Sequence, residues 1–325
     1  MAEAGGPPPR TMIVSRGAPD LPPALEGGAV VSIGVFDGVH LGHRAILEAN
    51  LARAEALGAA PTVVTFARHP KGLLLGHAPR TLTPLDHRLE LFARAGVAHT
   101  LVLEFDEELR AMGAEAFVDE LLVERLGAVA FVLGFDSKFG RDRRGTPGLL
   151  RELGHDVEVV GKVVVGERAV SSTAIREAVE LGDLDGAARM LGRRVSAFGR
   201  VVRGSELGRE LGFPTANLDL DHQLHPPPGV YACFAHLPEA AGTAAPPLPA
   251  ACNIGFRPTV DEQAPLEPLV EVHVLDLQRD LYGARLELEF VARLRAEQRF
   301  ADLDALRAQI GRDVERAREV LERVL

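Results

Sequence analysis

Residues 29–51 read Ala29-Val30-Val31-Ser32-Ile33-Gly34-Val35-Phe36-Asp37-Gly38-Val39-His40-Leu41-Gly42-His43-Arg44-Ala45-Ile46-Leu47-Glu48-Ala49-Asn50-Leu51. An apolar, β-branched run feeds a glycine-rich turn, and the turn opens a helical pattern. A helix entered this way aims unpaired backbone N–H groups and the positive end of its dipole at the turn, which suits phosphate. His40 and His43 stand in the turn, where imidazoles can donate to anionic oxygens. Gly34, Gly38 and Gly42 lack G-x-G-x-x-G spacing, and none of the three lysines (Lys71, Lys138, Lys162) completes a P-loop. A nucleotide here would be held by histidine, arginine, backbone and metal. The alternatives are an ordinary βα turn, or a metal site on the two histidines. No cysteine or third histidine stands nearby to close a zinc shell.

From this segment to about residue 185, short apolar runs alternate with amphipathic ones. Strands are expected at Val30–Ile33, Thr62–Phe66, His99–Leu103 and Val129–Leu133. Helices are expected at Gly42–Leu57, Leu85–Ala95 and Ala114–Leu126, each ending near a glycine (Gly58, Gly96, Gly127). Two shorter helices follow at Thr173–Leu181 and Leu184–Leu191. This order implies a Rossmann-like α/β unit with a parallel sheet, whose ligands bind beyond the carboxyl ends of the strands. That edge would carry Phe36–His43, Phe66–Pro70 and Gly134–Gly145. Ser171, Ser172 and Thr173 open a helix with hydroxyls, and Arg176 on it can meet a phosphate. A plain N-cap explains the hydroxyls equally well.

The texture then changes to strand-length segments separated by Pro and Gly turns: Val195–Val202, Val230–Ala235, Ala250–Ile254, Leu269–Leu275 and Ala284–Leu294. They imply an antiparallel barrel or sandwich. Ala240–Pro249 reads as a low-complexity hairpin loop, and 302–325 as a helix packed on the sheet. Gly204, Gly208 and Gly212, with Arg209 among them, make a flexible flap. Beyond it, Pro214 precedes Thr215 and Asn217, whose oxygens are hard ligands suited to Mg²⁺ and share one strand face. Glu271 interrupts an apolar strand; with His273 and Leu275 it makes a polar face that meets either solvent or a ligand cavity, and His273 itself reads as structural or solvent-facing. The organisation expected is a largely flexible segment over 1–28, a first domain over 29–188 and a second over 189–325.

Gly34–His43 resembles the first signature of nucleotidyltransferases that carry a His-x-Gly-His motif. Its longer form is similar to the adenylyltransferase half of bifunctional riboflavin kinase/FAD synthetase. Arg68-His69-Pro70, Gly134-Phe135-Asp136-Ser137-Lys138-Phe139-Gly140 and Ser171-Ser172-Thr173-Ala174-Ile175-Arg176 resemble that family's further signatures, with Arg68, Ser137 and Ala174 at its variable or substituted places. Pro214-Thr215-Ala216-Asn217, Gly229-Val230-Tyr231 and Asn253 to Thr259 resemble the riboflavin kinase domain, which implies a small Greek-key barrel. By position, the resemblance implies that His40, His43 and Arg176 stabilise charge during adenylylation. It puts Gly34, Phe36, Asp37, Gly38, Gly42, Ser171, Ser172 and Thr173 around ATP, and His69, Pro70, Asp136 and Phe139 near the flavin. In the second domain it makes Gly204, Gly208, Arg209 and Gly212 the nucleotide flap, Thr215 and Asn217 the Mg²⁺·ATP ligands, and Glu271 the base for the riboflavin 5′-hydroxyl. Arg295 matches a family arginine near the flavin.

The implied chemistry is ATP-dependent conversion of riboflavin to FMN, then of FMN to FAD. The alternatives are a riboflavin kinase whose first domain only binds nucleotide, a non-catalytic flavin carrier, and an adenylyltransferase for another phosphate substrate. A net charge of −10 argues against a nucleic-acid partner, and no apolar run approaches 18 residues, so a membrane span is not expected. The glycine- and proline-rich first ten residues do not read as a signal peptide. Cys233 and Cys252 read as buried and structural, which fits a cytoplasmic protein acting on small molecules. The sequence does not specify an oligomeric state.

Overall fold

In a computed structural model that describes residues 12–22, 25–204, 207–237, 246–256 and 268–324, the first sheet begins earlier than the hydrophobic runs suggest. Strand β1 (Ile13–Arg16) lies in the stretch expected to be flexible, so that expectation is corrected for these residues. Four residues with one buried side chain carry too little pattern to announce a strand. Their order comes from pairing: Ile13 lies opposite His99 and Arg16 opposite Val102.

The elements then follow as β2 (Ala29–Ile33), α1 (Leu41–Leu57), β3 (Ala60–Phe66), α2 (Lys71–Leu75), α3 (Leu85–Ala95), β4 (His99–Leu103) and α4 (Glu107–Ala111). Next come α5 (Ala114–Ala116), continued as π-helical turns over Phe117–Arg125, and β5 (Ala128–Gly134). The Leu126 N–H donates to the Leu121 carbonyl, one residue beyond the α-helical partner. After β5 come α6 (Pro147–Glu152), β6 (Val157–Val160) and a small antiparallel pair, β7 (Val164–Val165) with β8 (Arg168–Ala169). Helices α7 (Ser172–Glu180) and α8 (Leu184–Leu191) follow.

The sheet order is β1-β4-β3-β2-β5-β6, with every neighbour parallel. β2 is flanked by β3 and β5, so the connections leave it in opposite directions, and the crevice of a doubly wound sheet opens at its carboxyl end. β2 and β4 are buried along their whole length, as strands covered on both faces must be. Asn50 on α1 enters this apolar layer and is fully buried; its amide donates to Val30 O, the Ser32 hydroxyl and Thr62 O. The helix is thereby pinned to β2 and β3 behind the turn.

The chain divides into two compact units between Ser172 and Thr173, whereas the change of sequence texture suggested a boundary at 188/189. In the second unit, β9 (Ser196–Val202), α9 (Leu207–Glu210), β10 (Ala216–Asp219), β11 (Gly229–His236), β12 (Leu248–Phe256), β13 (Pro268–Val274), β14 (Arg285–Arg295) and α10 (Leu303–Glu322) follow. The strands close into a barrel of order β10-β13-β12-β11-β14-β9. Three consecutive strands form a meander and β14 returns beside β11, which is a Greek key. Closure removes the exposed edges that an open sheet of this size would carry. Val314, Ala317 and Leu321 of α10 pack on Ala232, Phe234 and Ala251 of the barrel wall. Of the loop expected at Ala240–Pro249, residues 240–245 lie outside the described residues, and Leu248 and Pro249 already belong to β12.

Replacing Asn50 by alanine removes three buried hydrogen bonds and exposes their acceptors to an apolar layer. We expect Asn50→Ala to lower the unfolding free energy by about 1–3 kcal/mol in a urea titration.

Candidate active sites

The turn between β2 and α1 is held from inside by a carboxylate. Asp37, 3 % exposed, accepts from the backbone N–H groups of Leu82 (2.9 and 3.1 Å) and Thr83 (3.0 Å). The Thr83 hydroxyl in turn accepts from Gly38 N–H (2.9 Å), and the Ser172 hydroxyl donates to the Asp37 carbonyl (2.9 Å). Phe36 is also buried, its ring edge-on to His43 and Phe92. Expected at the nucleotide, both side chains are turned inward instead. They shape the turn, because the charge of Asp37 is spent on ordering it. Phe36 (φ 54°) and Val39 (φ 38°) adopt left-handed backbone conformations that cost energy for non-glycine residues, above all for a β-branched one.

This frame presents two histidines as a stack. The His40 and His43 rings lie 3.6 Å apart with planes 14° from parallel, and His43 N–H donates to His40 Nδ1 (3.3 Å), which caps α1. Gly42 gives the stack room, since a Cβ there would lie 3.2 Å from the His40 ring and press on it. Burial holds the His43 imidazole well below the usual histidine range, with smaller contributions from His40 and Arg88. His43 is therefore a neutral ring at neutral pH, a hydrogen-bond partner and not a standing cation.

Sequence reasoning passed over Arg88. It is 3 % exposed and donates to Val35 O (2.5 Å), the Thr65 hydroxyl (3.0 Å) and Phe66 O (2.9 Å), tying the turn to the end of β3. An arginine on a helix that otherwise reads as amphipathic gave no sign of facing inward. Past β3, half-buried His69 accepts the Lys71 N–H at Nδ1 (3.1 Å), and Pro70 occupies the position before α2. At the end of β5, Asp136 is exposed. Phe139 does not join it: the ring is 7 % exposed and packs against Phe117 and over Gly145, where a Cβ would lie 2.3 Å from it. Its expected place beside the flavin is corrected to a core position, and Phe135, 53 % exposed, is the aromatic that the strand end presents. Ser171 and Ser172 are half-buried; on α7, Thr173 is exposed and Arg176 half-buried.

In the second unit two cavities flank one residue. A cavity of about 430 Å³ is lined by Thr215, Asn253, Glu271, His273 and Arg295 together with apolar side chains of α10. A second, of about 620 Å³, is lined by Gly204, Arg209, Thr215, Asn217, Arg279 and Tyr282. Thr215 belongs to both. Asn217 of β10 lies directly opposite Glu271 of β13, and Asn253 of β12 lies opposite Glu271 on its other side. Residues directly opposite across antiparallel strands share a face, so these three form a polar row. The polar face of β13 thus meets a cavity and not open solvent. His273, expected to be structural or solvent-facing, lines that cavity with its Nδ1 2.8 Å from Pro214 O.

The flap glycines are required by contact. A Cβ on Gly204 would fall 1.8 Å from the Asn217 side chain, and one on Gly208 2.9 Å from the Thr215 hydroxyl oxygen. Gly212 has φ +87°. Ser205, Glu206 and 257–259 lie outside the described residues. Among the described residues no group of three His, Cys, Asp or Glu side chains could hold a metal. Thr215 and Asn217 offer neutral oxygens, which fit a Mg²⁺ that arrives with nucleotide phosphates and completes its shell from them.

A doubly wound α/β unit with a His-x-Gly-His turn, joined to a Greek-key barrel with a two-cavity site, defines a nucleotidyltransferase coupled to a small-molecule kinase. Residues 23–174 match the FAD synthetase family model and residues 191–321 the riboflavin kinase model. A bifunctional riboflavin kinase/FMN adenylyltransferase of Escherichia coli K12 is 40 % identical over 313 residues, 95 % of this chain and 97 % of that one. The protein of that name from Bacillus subtilis is 33 % identical over 90 % of this chain and 92 % of its own. A crystal structure described as a macrolide-efflux protein from Streptococcus pneumoniae is 28 % identical, covering 94 % of this chain and 99 % of that one with a TM-score of 0.79. The chain belongs to the bifunctional riboflavin kinase/FMN adenylyltransferase family.

The buried histidines give the first unit a pH dependence. Burial lowers the pKa of His99 as well as that of His43, so the unfolded chain takes up protons before the folded one as pH falls below about 6.5. Stability is then full above that value and is lost below it. The urea midpoint of the first transition should fall between pH 7.5 and pH 5.5, and His43→Asn should shrink the fall.

Proposed function

We infer that the protein makes FMN from riboflavin in the barrel and FAD from FMN in the α/β unit, consuming one ATP in each reaction. Both activities follow from the two matched domains and from relatives that carry both along nearly their whole length. The monofunctional alternative is not favoured. The efflux role named for the streptococcal protein is not carried over, since both units are matched to flavin chemistry; among the described residues no helix is long and apolar enough to cross a membrane. A cytoplasmic enzyme of small-molecule substrates, without a nucleic-acid partner, is the setting we propose.

The observation that carries the kinase assignment is the position of Glu271 on a polar row beside Thr215, where the two cavities meet. With riboflavin in the smaller cavity and ATP in the larger, the 5′-hydroxyl meets the γ-phosphate near Thr215. Glu271 takes the hydroxyl proton as that oxygen bonds to the γ-phosphorus, and ADP leaves with the bridging oxygen. Thr215 and Asn217 would hold Mg²⁺, which neutralises phosphate charge when bound. Gly204 and Gly208 let the flap backbone approach, and Arg209 lies within reach of the nucleotide side. Arg295 faces the flavin.

In the α/β unit an FMN phosphate oxygen attacks the α-phosphorus of ATP and pyrophosphate leaves. That phosphate is already anionic, so no general base is needed and the task is charge stabilisation. Neutral His43, His40, the α1 N-terminus with Gly34, Gly38 and Gly42, and the hydroxyls of Ser171 and Ser172 are the groups we assign to it. His69, Pro70, Asp136 and Phe135 are placed on the flavin side.

Incubation with riboflavin, ATP and Mg²⁺, followed by chromatography of the flavins, tests both halves at once. FMN that never proceeds to FAD would remove the adenylyltransferase assignment, and unchanged riboflavin would remove the kinase. Glu271→Gln should abolish FMN formation and leave FAD formation from supplied FMN near the parent rate. His43→Ala should reverse that pattern, with a loss of about 10²-fold or more in FAD formation.

A further inference from the structure

Arg295 lines the smaller cavity, and its guanidinium is held by a partner that the reaction does not use. Asp313 of α10, 7 % exposed, takes the arginine in a fork: Arg295 Nε lies 3.0 Å from both carboxylate oxygens and Nη2 2.7 Å from Oδ2. Nη1 donates to the Ala296 carbonyl (3.0 Å). The guanidinium carbon stands 5.7 Å from the Phe300 ring centroid. Gln309, one turn before Asp313, donates to its Oδ1 (2.9 Å), so the carboxylate is itself oriented. Three of the arginine's five N–H groups are committed inside the protein, two of them to one planar, charge-assisted pair. Such a group cannot swing out to clamp a phosphate. What it keeps for the cavity is a fixed planar surface and its remaining N–H groups, a shape that suits a flat heteroaromatic ring.

We propose that Asp313 is a positioning residue for riboflavin: it sets the plane of Arg295 against the isoalloxazine end of the flavin cavity. The proposal rests on the assignment of that cavity to the flavin. Asp313 lines the same cavity but both its oxygens are engaged by Arg295 and Gln309, so its effect runs through Arg295. Removing it frees the arginine to rotate and to seek the solvent or the nucleotide phosphates. Flavin binding weakens, while the ATP cavity and the chemical step at Glu271 keep their geometry.

The test uses the full-length protein and its variants Asp313→Asn, Arg295→Ala and the double variant. Riboflavin binding is read by flavin fluorescence, the two KM values and kcat by the kinase assay, and integrity of the barrel by thermal unfolding. Asp313→Asn should raise the riboflavin Kd and KM about tenfold, with the KM for ATP and kcat within about twofold of the parent. The double variant should bind riboflavin no more weakly than Arg295→Ala alone, because one residue acts through the other. Additive losses, or a fall in kcat with an unchanged riboflavin Kd, would overturn the positioning role. Unchanged riboflavin binding in Arg295→Ala would instead overturn the flavin assignment of Arg295 itself. Should Asp313→Asn unfold at assay temperature, Gln309→Leu loosens the same carboxylate from behind. It should raise the riboflavin KM in the same direction, and no change there counts against the proposal.

Discussion

The first unit depends on a buried charge satisfied by the backbone. The carboxylate of Asp37 lies under the turn between β2 and α1 and gathers the N–H groups of Leu82 and Thr83, while Thr83 returns a hydroxyl to Gly38. A buried carboxylate is tolerable only when its oxygens are satisfied, and backbone donors do this without moving parts. The turn they hold is strained at Phe36 and Val39 and would relax without them. Arg88 braces the same turn from the other side through Val35 O and Phe66 O. The histidine stack, itself largely buried, rests on the turn that these two buried charges brace.

The barrel solves a related problem by closure. Six short strands have no open edge, so register is fixed around the whole ring. That register sets Asn217, Glu271 and Asn253 side by side from three strands that are far apart in sequence. The apolar face of α10 then roofs the wall, and Leu306, Ile310, Val314 and the polar Asp313 line the cavity beneath. The two-cavity site is therefore a product of ring closure and of one helix laid across it.

Much of this was legible in the residues. β4, α3 and α8 have the bounds that their apolar spacing suggests; the two helices are bracketed by glycine or proline (Pro84 and Gly96, Gly182 and Gly192), and β4 gives way to the acidic Glu104-Phe105-Asp106. β1, β6 and the β7–β8 pair escaped, since strands of two to four residues hold at most two periods of alternation, too few to stand out from a loop. Phe139 was misplaced because an aromatic in a glycine-rich loop looks the same whether it faces a ligand or a second aromatic. Here the missing side chain at Gly145 lets it turn inward.

By itself the sequence determined the kinds of chemistry present: a helix opened by glycines and two histidines, hydroxyl and amide oxygens behind a proline, one carboxylate among valines. These are local facts, carried by residue type and by spacings of a few positions. Tertiary structure alone decided which of them are buried and which line a cavity. It turned Phe36, Asp37 and Phe139 inward, brought Arg88 under the turn, and joined Arg295 to Asp313 across eighteen positions of chain. The physical reason is that burial and partnership are set by long-range packing, and the charge state and orientation of every group in these sites depend on both.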